Sequence, residues 1–267
     1  MNILTLEEIA RLAPSALATR AKPGLSSRYA FLSTAEAIRV HTDQGWFPVS
    51  ARQATTRIPQ NAGFTRHEIV FRRPADAPVR EVGDVVPEVR LVNSHAGQCS
   101  YQLHAGLMRL VCRNGLVAPS LATGRLRVRH TVQEAQELAG LLASVSLHLP
   151  KLLEVAQRWQ GIRLDSARMR QLAATGLRLR YGDREDRWPA TPEALVLATR
   201  RFEDRGNDLW TTFNRIQENV IRGGSEVPGK MDRKGRRRQI RRLRGIGAGI
   251  RINQGLWEAA ETLALAS

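Results

Sequence analysis

Fifteen residues near the C-terminal end, Lys230 to Arg244, read KMDRKGRRRQIRRLR. Lys230, Arg233, Lys234, Arg236, Arg237, Arg238, Arg241, Arg242 and Arg244 stand there against one acid, Asp232. This stretch supplies half of the chain's net charge of +16. Guanidinium groups at this density suit phosphate, to which each can donate two parallel hydrogen bonds. A polyanion is the implied partner, and nucleic acid, DNA before RNA, is the commonest one. Arg109 and Arg113 could add phosphate contacts from a second place in the chain, with Asn93 and Asn114 bonding sugar or backbone. Tyr29 and Tyr101 are flanked by polar residues and could stack on unpaired bases.

Other chemistry is less well supplied. Cys99, Cys112, His95, His104 and His130 are zinc-ligand types, but no common zinc spacing joins them. A Cys–His pair built on Cys112 lacks any sign of an oxyanion hole. Two acidic clusters, Asp183/Glu185/Asp186 and Glu203/Asp204/Asp208, could hold divalent ions in a nuclease. Both lie among arginines, so surface ion pairing explains them more simply. No P-loop is present, and Gly245–Gly249 (GIGAG) follows a basic stretch where a dinucleotide fingerprint would follow a strand. It reads as a flexible joint. No catalytic residue, metal ligand or cofactor site is assigned.

The 267 residues can bury a substantial core, and 42% of them are hydrophobic. Two cysteines make no disulfide framework and fit a reducing, cytoplasmic setting. The first twenty residues lack the charged and apolar regions of a signal peptide, and no apolar run is long enough for a membrane span.

Patterning divides the chain. Residues 1–24 form an N-terminal helix and arm, with Thr5 and Glu8 as a capping box and Pro14 as a break. Thr34–Gln44 is a helix capped by Ser33 or Thr34. Residues 46–130 are strand-rich: Arg66–Arg72, Glu88–Asn93, Ser100–Ala105 and Leu126–His130 alternate apolar with polar residues. Residues 131–224 are helical, with Val132–Ala143 and Leu147–Trp159 broken near Pro150, then Ser166–Leu177, Pro192–Phe202 and Asp208–Arg222. A mobile basic loop over 225–249 and a closing helix over 250–267 follow. The expected fold is α+β: a mostly antiparallel N-terminal sheet with C-terminal helices packed on it, in one domain over 25–267.

Three segments carry a family resemblance. Leu25–Val49 (LSSRYAFLSTAEAIRVHTDQGWFPV), Glu88–Val117 (EVRLVNSHAGQCSYQLHAGLMRLVCRNGLV) and Arg201–Gly224 (RFEDRGNDLWTTFNRIQENVIRGG) occur in this order, followed by Ile252–Ala264 (INQGLWEAAETLA). In this the chain resembles the DUF932 phage/plasmid-like proteins. The resemblance implies a setting in plasmids, prophages and integrated elements, and no established activity.

The leading expectation is a protein that binds single-stranded DNA without sequence preference, without catalysis of its own, and serves strand annealing or recombination. A homo-oligomer would suit that role, with the N-terminal helix or the Trp257 helix as subunit contacts. The alternative is a metal-dependent nuclease acting on DNA or RNA.

Overall fold

The computed structural model describes residues 1–74, 85–109, 114–117, 127–131 and 138–266. The chain forms two compact units: Met1–Leu110 with Ser120–Leu152, and Val111–Pro119 with Leu153–Ser267. Strands in the first and helices in the second make it α+β, as the patterning implies.

The first unit is built on β1 (Phe47–Gln53), β2 (His67–Arg72), β3 (Val85–Asn93) and β4 (Tyr101–Arg109), each antiparallel to its neighbour. β5 (Asn114–Val117) belongs to the second unit, and β6 (Arg127–Val128) pairs with β4. The register aligns Ile69 with Leu91 and Leu91 with Leu103, so alternation sends Ile69, Phe71, Val89, Leu91 and Leu103 to one buried face. Helices α1 (Leu6–Leu12) and α2 (Thr34–Asp43) belong to the same unit. The capping box closes as expected: Thr5 N–H donates to Glu8 Oε2 at 2.8 Å and Glu8 N–H to Thr5 Oγ1 at 3.2 Å. Ser33, not Thr34, caps α2, and Gly45 (φ 80°) turns the chain out of it.

The opposite sheet face is charged. Glu68 and Glu88 are buried there and draw three arginines over them. Arg52 Nε lies 2.5 Å from Glu68 Oε2, Arg72 Nη2 lies 3.1 Å from Glu88 Oε2, and Arg90 pairs with both carboxylates. Burial alone would raise the Glu68 pKa; Arg90 and Arg52 outweigh it and hold the carboxyl below its ordinary value.

Under the apolar face lies a group of histidines. His67 Nδ1 donates to the Thr65 carbonyl at 3.0 Å, so Nε2 accepts from the Thr34 hydroxyl at 2.8 Å. Asn93 Nδ2 donates to that same hydroxyl and to the Leu32 carbonyl, each at 3.0 Å. Asn93 is thereby a structural tie. His95 is 0% exposed, 5.0 Å from the His67 ring, and among the described residues neither of its ring nitrogens has a hydrogen-bond partner.

The second unit contains α3 (Leu138–Gln160) through its C-terminal part, α4 (Ser166–Tyr181), α5 (Pro192–Leu195), α6 (Leu209–Arg222) and α7 (Ile246–Leu265). Its core gathers Trp159 against Trp257 (4.6 Å), Phe213 (5.4 Å) and Trp210 (6.3 Å). Pro150 does not break α3. An interior proline costs about 3 kcal/mol, and burial of Leu149, Leu152, Ala156 and Trp159 outweighs that. The helix expected over 192–202 stops at Leu195. Asn219 Nδ2 donates to the carbonyls of Val196 (3.1 Å) and Ala198 (3.0 Å), which draws those groups into side-chain bonds. The closing helix begins at Ile246, so Gly247 and Gly249 are helical residues and form no flexible joint. Residues 75–84, which include most of the connection expected between β2 and β3, and residues 132–137 lie outside the described residues.

Burial lowers the pKa values of His41 and His67 to about 4 and of His95 to about 3. The unfolded chain therefore takes up protons first, from about pH 6.5 downward. The first unit keeps its full stability above that pH and loses it as pH falls toward 4, by about 1.4 kcal/mol per pH unit for each titrating histidine. Urea unfolding between pH 7 and 4 should show this slope. His95→Leu, which breaks no hydrogen bond, should make it shallower; a pH-independent midpoint would contradict the burial of these rings.

Candidate nucleic-acid interface

The basic stretch is a β-hairpin where a mobile loop was expected. β7 (Glu226–Met231) pairs antiparallel with β8 (Arg237–Gln239), with Glu226 opposite Gln239 and Met231 opposite Arg237. Asp232 makes the turn. Gly235 N–H donates to the Asp232 carbonyl at 3.1 Å with Gly235 at φ 72°, and Asp232 N–H donates to the Arg236 carbonyl at 2.7 Å. The Asp232 carboxylate accepts from Lys234 N–H (2.8 Å), Arg236 N–H (3.0 Å) and Arg236 Nε (3.0 Å). These backbone and side-chain bonds hold it below its ordinary pKa.

The base of the hairpin is bolted to the end of α6. Gly224 N–H donates to the Ile240 carbonyl (2.7 Å), Ile240 N–H to the Ser225 carbonyl (2.9 Å) and Leu243 N–H to the Ile221 carbonyl (2.8 Å). Gly223 makes the approach possible. It sits at φ 66°, and a Cβ there would lie 2.4 Å from the Ile240 carbonyl oxygen. Ser225 Oγ bonds Asn219 Oδ1 at 3.1 Å and receives Arg200 Nη2 at 3.1 Å.

All nine cations of Lys230–Arg244 are exposed. Two have carboxylate partners: Arg236 with Asp232 (2.9 Å) and Arg237 with Glu226 (2.8 Å). Among the described residues, Lys230, Arg233, Lys234, Arg238, Arg241, Arg242 and Arg244 have none. Met231, Asp232, Arg233, Lys234, Arg236, Arg237, Arg238, Gln239 and Arg241 line an open concavity of ≈ 950 Å³. Its wall is a cationic surface with one acid, and that acid is spent on the turn.

The other expected contacts fall elsewhere. Arg109 ends β4 opposite Val85, in the first unit. Arg113, with Cys112, lies outside the described residues. Tyr101 is 2% exposed within the first unit and offers no ring face to a base. It sits on the strand edge that β6 covers, opposite Val128. Tyr29 is partly exposed, but its ring stacks on His130 at 4.6 Å and its hydroxyl donates to the Ser94 carbonyl at 3.0 Å. Burial pushes that hydroxyl up to about 12. The partly exposed aromatics of the second unit are Tyr181 and Phe202, to which the sequence pattern gives no weight. Trp257 is 1% exposed, in the core of its unit.

Four of the clustered acids have structural partners. Asp183 pairs with Arg178 (3.5 Å), Asp186 with Arg184 (2.7 Å) and Asp204 with Arg201 (3.1 Å). Asp208 caps α6, accepting from Thr211 N–H at 2.8 Å. Among the described residues, no three His, Cys, Asp or Glu side chains gather as a metal site. No described helix is long and apolar enough to cross a membrane.

Residues 24–246 match the family model described as a domain of unknown function, DUF932. The chain belongs to the DUF932 family. It is similar to two proteins of Escherichia coli (strain K12), UPF0380 protein YfjQ and UPF0380 protein YafZ. Each is 36% identical over 267 residues, covering 97% of this chain and 91% of the relative. No solved structure matches the chain.

Gly223→Ala should release the hairpin base, because the nearest obstacle is backbone and cannot swing aside. Hydrogen exchange should accelerate at Gly224, Ile240 and Leu243 while the amides of β2 and β3 keep their protection. Unchanged exchange at those three amides would show that the base does not depend on the close approach.

Proposed function

We propose that this protein binds nucleic acid through the β7–β8 hairpin, DNA above all, and carries out no chemistry on it. The observation that supports this reading is the set of seven exposed cations without a carboxylate partner among the described residues, four on the hairpin and three on the segment that follows it. Unpaired surface charge of one sign is costly to collect in one place, and a polyanion relieves it by exchanging its counterions for the protein's cations. Phosphates are common to every sequence, so such contacts position a strand without reading it. In the plasmid and prophage setting implied by the family resemblance, this binding serves strand annealing or recombination. Neutralised phosphates let two strands approach each other.

The nuclease alternative gains no support from the geometry, since Asp204 and Asp208 hold an ion pair and a helix cap.

Fluorescence anisotropy with labelled single-stranded and duplex DNA over a salt series tests the reading. The charge reversals Arg233→Glu, Lys234→Glu, Arg238→Glu, Arg241→Glu and Arg242→Glu, combined, leave both hairpin ion pairs in place. The combined variant should lose most affinity, and its log–log salt slope on single strands should be shallower by about 3.5. Wild-type affinity in that variant would overturn the assignment.

A further inference from the structure

We propose that Tyr181 and Phe202 stack on unpaired bases, which makes the ligand of the second unit a single strand. This rests on the nucleic-acid reading above and adds to it the class of strand.

The second unit buries its other aromatic rings. Trp159, Trp188, Trp210, Phe213 and Trp257 are all in its core. Phe202 is 78% exposed, and Tyr181 is partly exposed at the end of α4. A single exposed phenyl ring on a surface is ordinary. The setting of these two is not. Each carries a guanidinium over its ring at 5.3 Å from the centroid, Arg180 over Tyr181 and Arg205 over Phe202. Each is also tied to the hairpin by its neighbours in the chain.

Tyr181 stands within the electrostatic reach of the hairpin. Burial raises its hydroxyl pKa, and the charges of Arg180 and Arg238 oppose that rise. Arg180 donates through Nη2 to the Arg241 carbonyl, in the segment that follows β8. The ring, Arg180 and Arg238 thus form one neighbourhood of aromatic and cationic groups, beside the Arg241 backbone.

Phe202 begins a 3-10 turn, Phe202–Asp204, whose two flanks are fixed inward. Arg201 binds Glu218 through both Nη atoms at 2.7 Å, and the buried Asp204 pairs with Arg201 at 3.1 Å. Arg200 reaches Ser225, the residue before β7. The ring is therefore presented outward on a turn that cannot fold it back, which lowers the entropy lost when it meets a ligand.

An aromatic ring beside a guanidinium recognises a base face together with its phosphate. In a duplex both faces of a base are covered by its neighbours, so only an unpaired base offers that surface. The pairing of ring and arginine selects single strands, whereas the hairpin charges alone do not.

The test compares oligothymidylate with an abasic oligonucleotide of equal length, so that phosphates are constant and bases are not. Wild type should bind oligothymidylate more tightly. Tyr181→Leu and Phe202→Leu should each weaken oligothymidylate binding by about 5- to 100-fold. Binding to the abasic strand and to duplex should stay at the wild-type level, and Tyr181→Phe, which keeps the ring, should match wild type. Equal wild-type affinity for the two oligonucleotides would overturn the stacking proposal while leaving the hairpin reading in place. So would Leu variants that bind oligothymidylate normally. Failure of wild type to bind either strand or the duplex would overturn the hairpin reading itself. The oligonucleotide comparison uses wild type alone and stands even if a Leu variant misfolds.

Discussion

Glu218 lies inside the second unit at 3% exposure and is nonetheless held ionised. Burial pushes its pKa up; two hydrogen bonds from Arg201, with the charges of Arg200 and Arg222, outweigh this and bring it below the ordinary value. Its helix, α6, is buried at every position from Leu209 to Val220, so its polar side chains must find partners within the protein. Three in its last turns do: Gln217 bonds Asn253 at 2.8 Å, Asn219 takes the carbonyls of Val196 and Ala198, and Glu218 takes Arg201. The segment that precedes α6 is fastened by these bonds, and the segment that follows it leaves through Gly223 into the hairpin. Truncating Glu218 would leave the partly buried Arg201 guanidinium with its main counter-charge gone, the expensive way to break such a pair.

Two groups of arginines differ in their partners, and the distinction carries the functional argument. Arg52, Arg72, Arg90 and Arg201 are drawn onto buried carboxylates. There each guanidinium has a carboxylate partner, and the pairing contributes to the fold. Among the described residues, seven cations of the hairpin and the segment that follows it have no such partner. Their surplus has no structural use, since Asp232 and Glu226 already supply the ion pairs that the turn and the strand register need. Surface ion pairs contribute about 0–1 kcal/mol, so the hairpin is held chiefly by its backbone bonds to α6 and by burial of Val227 and Ile240.

Much of the fold was legible because it follows from periodicity and caps. HEIVFR and EVRLVN alternate, Thr5 and Glu8 sit at capping-box spacing, and Asp208 precedes an amphipathic run. The hairpin was hidden because a run of arginines has no apolar alternation to signal a strand. Its only local sign was Asp232 with Gly235 three residues later, a type I turn pattern that charge density obscured. The end of the helix at Leu195 was set by Asn219, more than twenty residues away, and no local propensity encodes that. The basic stretch stood out in the sequence as the candidate site, but its aromatic partners did not. Tyr101 looked exposed because its neighbours are polar, yet the β6 pairing covers it. Tyr181 and Phe202 sit among arginines that read as solvated surface, and only the geometry shows a guanidinium over each ring.

Ultraviolet crosslinking of the intact protein to oligothymidylate, with the attached peptides identified by mass spectrometry, tests the central claim most directly. Crosslinks should fall on peptides of residues 230–244 and on those containing Tyr181 and Phe202. Crosslinks confined to the first unit, or none at all under conditions where the DNA remains bound, would contradict the assignment of the hairpin as the nucleic-acid interface.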